Sequence, residues 1–267
     1  MKRLLIFDLD GVITSEADYW STVEKALHLD IPAEFIYWCK NHAINHNWDM
    51  AFVALTAAPD FEGFTSDRAL LTGRELLESC PGYRAEPWRK CHEICQTVLE
   101  AGPLPTTVLH TESQFQKLFQ ELELGQFVFS IATGRPRLEA VAPLENAHIW
   151  GYFDKRRVVT HDEVQQAERE AGFPLGKPHP FVAYRAMYPE MPLAELLALP
   201  SIERPDVWFI GDTISDIKAA RAAGVTPIGI LSAMPPGIYR DERERALREA
   251  GCDTILESVL SLPSCVL

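Results

Sequence analysis

The sequence predicts an α/β fold in which a doubly wound parallel sheet carries a helical insert after its first strand. Three observations predict it. Leu4-Leu5-Ile6-Phe7, Phe127-Val128-Phe129 and Val207-Trp208-Phe209-Ile210 are short, continuously apolar runs. Such runs suit strands covered on both faces, because a half-exposed strand would alternate. Helical patterns lie between the runs, as a sheet wound by crossover helices requires. The first interval differs from the others: from Ile13 to about Leu104 it has helical periodicity and no convincing strand.

Each element has its own signal. In the insert, Trp20, Val23 and Leu27 share one helix face, Trp48, Phe52 and Leu55 a second, and Trp88, Cys91, Cys95 and Val98 a third. Ala101-Gly102-Pro103-Leu104-Pro105 then breaks the helix and reads as a hinge or linker. These signals divide the chain into a core of residues 1–13 and 104–267 and an insert of residues 14–103. Thr111-Glu112-Ser113-Gln114 has the form of a capping box, with Phe115, Leu118, Phe119 and Leu122 following at helical spacing. Gly125 fits the position past that helix's end. Val158-Val159 and Ile228-Gly229-Ile230 are candidates for further strands. Ser215-Asp216-Ile217-Lys218-Ala219-Ala220-Arg221-Ala222-Ala223 is a good helix former, and Gly224 stops it.

Composition excludes several classes. The 267 residues are 47% hydrophobic, enough for a full core. A net charge of −13 argues against a nucleic-acid partner, which needs a positive surface. No apolar stretch approaches the ~18 residues of a membrane helix, so no membrane partner is expected. The start turns acidic at Asp8, too early for a secretory leader. The six cysteines are sparse and read as reduced thiols of a cytoplasmic protein. Oligomeric state is not legible.

The three best strand candidates each run into a polar residue and a turn: Asp8, Thr133 and Asp212. Open parallel sheets bind ligands at the carboxyl ends of their strands, where the strand order reverses. If these strands are neighbours, Asp8, Asp10, Thr133 and Asp212 converge there. Carboxylates sharing a crevice repel one another and tend to keep protons. A bound cation removes that conflict, and hard oxygen donors with room for water and a phosphate oxygen suit Mg²⁺.

Four segments then carry a resemblance: Asp8-Leu9-Asp10-Gly11-Val12, Thr133-Gly134-Arg135, Gly176-Lys177-Pro178 and Gly211-Asp212-Thr213-Ile214-Ser215-Asp216. In this order they resemble the haloacid dehalogenase superfamily, on its phosphatase side. The resemblance implies a Rossmann-like core with a smaller α-helical cap, and a Mg²⁺-dependent phosphatase acting on a small phosphorylated metabolite. It implies Asp8 as nucleophile, forming an aspartyl-phosphate. Asp10 would be the general acid and then base, with its backbone carbonyl on the metal. Asp8, Asp10, Asp212 and Asp216 would make the metal site. Thr133, Gly134, Arg135 and Lys177 would meet the phosphate, with Lys177 also neutralising Asp8. Placement and electrostatics are what phosphoryl transfer chiefly needs.

Other readings stand beside these. An aspartate after a strand is commonly a turn or cap residue, and Asp216 is also well placed as a helix N-terminal charge. Ser130, Gly211 and Thr213 read as structural. Cys91-His92-Glu93-Ile94-Cys95 resembles zinc spacing, but both cysteines fall on the apolar stripe and read as core. His42 and His46 lack a third ligand. Lys155-Arg156-Arg157 reads as a solvated run, and His179 as a loop residue. Arg137, like Arg135, is open to anion contact or a surface ion pair. A sugar-phosphate mutase would use the same groups. A dehalogenase is disfavoured by Asp10 and Asp212, and nothing supports a catalytically silent binding protein.

Overall fold

In the computed structural model, strand β1 (Arg3–Phe7) lies inside a six-stranded parallel sheet. The structure describes residues 3–15, 17–44, 47–101, 106–234 and 236–267, apart from the side chains of Asp18 and Leu99. The other strands are β2 (Phe127–Ala132), β3 (Phe153–Val159), β4 (Arg204–Gly211), β5 (Val225–Ile230) and β6 (Thr254–Leu256). Their order is β3-β2-β1-β4-β5-β6. The three strands that end in Asp8, Thr133 and Asp212 are therefore neighbours, with β1 between the other two. From β1 the chain first builds outward through β2 and β3, then returns to build β4, β5 and β6 on the other side. That reversal makes the crevice where such sheets bind ligands.

The continuous apolar runs follow from burial on both faces. Leu5 and Phe7 enter one core cluster, while Leu4 and Ile6 enter another. In β4, Trp208 and Ile210 face the first cluster and Val207 and Phe209 the second. Full burial of each such side chain contributes about 1.5–3 kcal/mol.

Among the described residues, the insert after β1 forms six helices: α1 (Ala17–Leu27), α2 (Ala33–Asn41), α3 (Asn47–Ala57), α4 (Phe61–Asp67), α5 (Gly73–Ser79) and α6 (Glu86–Glu100). They close around a cluster of their own that includes Trp20, Val23, Phe52, Cys91, Cys95 and Val98. The segments that enter and leave them run side by side: Ser15 N–H donates to Thr107 O at 2.8 Å and Leu109 N–H to Ile13 O at 2.9 Å. Residues 102–105, where the sequence places the hinge and the boundary at 103/104, lie outside the described residues, as does His46.

The remaining helices are α7 (Glu112–Leu124), α8 (Arg137–Asn146), α9 (His161–Ala171), α10 (Phe181–Met187), α11 (Leu193–Leu197), α12 (Ile214–Ala222), α13 (Ile238–Glu249) and α14 (Pro263–Val266). The capping box at Thr111 forms, with Gln114 reaching back to it. No helix among the described residues is long and apolar enough to cross a membrane.

Several expectations change. β6 and most of β3 carry no apolar run: β3 reads Phe-Asp-Lys-Arg-Arg-Val-Val, with exposed residues at its centre, because it is an edge strand. Leu55 is partly exposed at 41%, off the buried face of α3. Gly125 ends α7 with a negative φ, and it is Gln126 that is left-handed, at φ 62°. Glycine is needed at 125 because a Cβ would collide with Leu267 and Phe127. Arg157 is not solvated with its neighbours: it donates to Ala186 O and Met187 O at the end of α10.

Candidate active site

Asp8 is the first residue past β1, and its amide donates to Ile210 O of β4 at 2.8 Å. This fixes its side chain over the β1/β4 crevice. Gly11 follows with φ +76°, and a Cβ there would overlap the Asp212 carboxylate. Glycine is thus required twice over, by the backbone angle and by the approach of Asp212. At the end of β4, a Cβ on Gly211 would overlap Asp216 in the same way.

The geometry gathers Asp8, Asp212 and Asp216. One oxygen from each lies within 4.8 Å of the others, and all three side chains are buried. Lys177 reaches in from the loop between α9 and α10. Its Nζ lies 3.0 Å from Asp8 Oδ1 and donates to Asp216 Oδ1 at 2.6 Å and to Ala132 O at 3.1 Å. Asp216 has a second duty: its Oδ2 accepts from the amide and hydroxyl of Thr213, forming the capping box of α12. Both readings of Asp216, helix cap and site carboxylate, therefore hold in one side chain.

Electrostatics follow from this crowding. Burial pushes the Asp8 carboxyl well up; Lys177 pulls it down, and Asp216, Asp212 and Asp10 push it up again. Burial alone would lower Lys177, but Asp216 and Asp8 outweigh it and hold the ammonium charged far above neutral pH. A divalent cation beside these three acids would relieve the repulsion that Lys177 alone leaves. The donors are all hard carboxylate oxygens, so the set fits Mg²⁺ and not a soft metal.

Asp10 is arranged differently. Its carboxylate accepts from Arg135 Nε at 2.9 and 3.1 Å and from Arg135 Nη2 at 2.5 Å, and from Thr14 Oγ1 at 3.0 Å. Burial would raise its pKa, yet Arg135, helped by Lys40 and Thr14, outweighs that and lowers it. Arg135 also donates to Thr106 Oγ1 and Ser15 O, so it ties the two crossing segments to the site. In this arrangement the Arg135 guanidinium lies on Asp10.

Thr133 is buried immediately after β2, and its hydroxyl accepts from the Arg135 amide at 3.2 Å. Gly134 is exposed with open space where a Cβ would stand. Arg137 is elsewhere, paired with Glu163 at 2.8 Å. His42 is turned to the carbonyls of Trp38 and Ala69, and His179 accepts from the Phe181 amide. All six cysteines are free, five of them buried, and the acid cluster is the sole metal-like grouping among the described residues.

Two site residues escaped the sequence reading. Arg243 of α13, 1% exposed, donates to Asp212 O at 2.6 Å and to Asn41 Oδ1 of α2 at 2.5 Å. Lys40 of α2, 8% exposed, acts on the charge of Asp10. Each had a signal. Tyr239, Arg243 and Leu247, like Ile36 and Lys40, share a helical stripe, so a charge stands where an apolar residue belongs.

The family of haloacid dehalogenase-like hydrolases matches residues 104–230. That match takes in a little under half of the 267-residue chain, and over it the chain is similar to the haloacid dehalogenase superfamily. A phosphonoacetaldehyde hydrolase from Parabacteroides distasonis is 31% identical over 110 residues, covering 35% of this chain. The match spans 38% of that relative's length. A solved structure from Lactobacillus delbrueckii subsp. bulgaricus, provisionally assigned as a phosphoglycolate phosphatase, gives a TM-score of 0.62 at 18% identity, covering 100% of this chain and 99% of its own. Another from Thermotoga maritima, provisionally assigned as a β-phosphoglucomutase, gives 0.50 at 20% identity, with full coverage of both chains. At such identities the likeness is one of fold.

Proposed function

We propose that the chain is a Mg²⁺-dependent phosphatase that hydrolyses a small phosphorylated metabolite through an aspartyl-phosphate on Asp8. The observation that carries this reading is the cluster of Asp8, Asp212 and Asp216 around Lys177 at the strand-order reversal. Asp8, Asp212, Asp216 and the Asp10 carbonyl would hold the cation, which when bound neutralises phosphate charge and keeps the acids ionised. The Asp8 carboxylate attacks phosphorus, and the ester oxygen leaves with a proton from Asp10. Water then attacks the aspartyl-phosphate, giving its proton to Asp10 and releasing phosphate and free Asp8. Lys177 offsets charge on Asp8 and on the phosphoryl oxygens, while Thr133 and the Gly134 amide hold those oxygens in place. Arg135 favours the carboxylate form of Asp10, which serves the water step and opposes the proton transfer to the leaving oxygen. Helices α1 to α6 are the cap of this reading, over residues 14–103.

The test is a screen of phosphorylated metabolites, and of p-nitrophenyl phosphate as a generic ester, for phosphate release with Mg²⁺ and with excess chelator. Release that needs the metal is expected. Release that persists in chelator contradicts the metal assignment. Transfer to a second sugar hydroxyl without free phosphate would favour the mutase, and release from phosphonates alone would favour the chemistry in the Parabacteroides relative's name.

A further inference from the structure

A cavity of about 220 Å³ opens beside Gly11 and Asp212 and runs under α1 and α2. Ile31, Ile36 and Met234 give it an apolar wall. Four charged side chains also line it, two of each sign: Glu24 and Asp212, Lys40 and Arg243. Both cations serve the active site, since Arg243 donates to Asp212 O at 2.6 Å and Lys40 acts on Asp10. A wall of mixed sign opposes a charged occupant of either kind. It suits a neutral group that both gives and takes hydrogen bonds. Two side chains on one face of α1 call for such a group. Trp20 and Glu24 stand four residues apart on that helix, so they are neighbours, and both line the cavity. Trp20 is 6% exposed, and among the described residues no atom accepts a hydrogen bond from its Nε1. Buried indole N–H groups normally find an acceptor. Glu24 is half-buried; its Oε1 accepts from the Ile31 amide at 3.1 Å, and it forms no ion pair among the described residues. An indole only donates and a carboxylate only accepts. The two do not bond each other directly, and a hydroxyl between them would satisfy both.

We propose that Trp20 and Glu24 read a hydroxyl on the leaving group of the substrate. The hydroxyl accepts from Trp20 Nε1 and donates to the Glu24 carboxylate, and the apolar wall covers the carbons that link it to the ester oxygen. The substrate is then the monophosphate of a short, uncharged polyol. The proposal rests on the phosphatase reading, because the cavity opens at Asp212, one of the residues that would hold the cation. It makes Trp20 and Glu24 specificity residues, acting on the end of the substrate remote from phosphorus.

The test measures phosphate release, with Mg²⁺, from alkyl phosphates of two, three and four carbons, each with a terminal hydroxyl, amino or carboxyl group or with none. The hydroxyl ester is expected to be favoured about tenfold in kcat/KM over the unsubstituted ester at one length at least, because the latter leaves a buried indole N–H unmet. It should also exceed both charged esters of that length. Trp20→Phe, which keeps the ring and removes the N–H, should bring the hydroxyl-over-alkyl ratio below about threefold. Glu24→Gln keeps an oxygen for the Ile31 amide and removes the charge, and should lower the ratio severalfold. A ratio taken within each variant cancels any general loss of activity. Equal rates for hydroxyl and alkyl esters in the wild type, with p-nitrophenyl phosphate still turned over, would overturn the proposal and leave the phosphatase reading standing. So would a faster amino or carboxyl ester, or a ratio unchanged by either substitution. If Trp20→Phe does not fold, Glu24→Gln decides alone, and an unchanged ratio there overturns it. No release from any ester, p-nitrophenyl phosphate included, removes the phosphatase reading and this proposal with it.

Discussion

At the scale of single residues, the site is a balance of buried charges, and each member has a distinct cost of removal. Lys177 is the one ammonium between Asp8 and Asp216. Lys177→Met leaves two buried acids facing each other, and breaking such a buried set typically costs about 3–5 kcal/mol. A melting experiment without metal should show that loss, and added Mg²⁺ should recover part of it. Glu139 supplies a different prediction. Burial raises its carboxyl above the ordinary range, while Arg135 opposes and Asp10 adds to the rise. Its Oε1 has no hydrogen-bond partner among the described residues. The folded state therefore binds the proton more tightly than the unfolded chain, and Glu139 loses stability as pH rises from its unfolded pKa through its folded one. Glu139→Gln should melt a few degrees higher than wild type at neutral pH, with the difference closing in acid. A variant that melts lower at neutral pH would show that the carboxylate is needed charged.

At the scale of elements, the strand ends and the turns after them do the positioning. Gly11 and Gly211 are the residues that let Asp212 and Asp216 fold back toward Asp8. Gly11→Ala meets both a left-handed φ and the Asp212 carboxylate, so it should lower stability by about 1–2 kcal/mol or more and weaken the gain in melting temperature from Mg²⁺. A variant with unchanged metal response would show that Asp212 can move without loss.

The same scale explains what was legible. β1, β2 and β4 could be read because both faces are buried, so their apolar runs are unbroken, and each run leads into a site residue. Asp8, Thr133, Lys177 and Asp212 stand in loops just past a strand or between helices, where a polar residue is conspicuous, and Asp216 stands in the first turn of α12, four residues after Asp212. β3 and β6 were obscure because an edge strand need not be apolar. α4 and α5 gave no signal, since short helices need little periodicity to pack. Arg135 on Asp10, 125 residues apart, and Arg243 on Asn41, 202 apart, are contacts that only the fold brings together.

At the scale of the whole molecule, the six-helix insert and the sheet meet over one crevice, joined by paired segments at residues 13–15 and 107–109 and by Arg243 between Asn41 and Asp212. Metal binding should therefore register in global stability. A ligand that binds the folded state alone raises the melting temperature by mass action. The sign with pH is set by Asp8. Its folded pKa is raised by burial and by its acidic neighbours, so without metal the folded state favours the protonated form, and that contribution is lost as pH rises. The cation needs the carboxylate, so the gain in melting temperature from Mg²⁺ should grow as pH rises from mildly acid to neutral. A gain independent of pH would mean that Asp8 does not bind the metal.

The central claim is that Asp8 accepts the phosphoryl group. The most direct measurement is phosphate release by wild type and Asp8→Asn, with Mg²⁺, at equal folded concentration. The account predicts that Asp8→Asn loses about 10³-fold or more in kcat while melting as a folded protein. Turnover within about tenfold of wild type would contradict it, because the amide of Asp8→Asn lacks the carboxylate nucleophile that an aspartyl-phosphate requires.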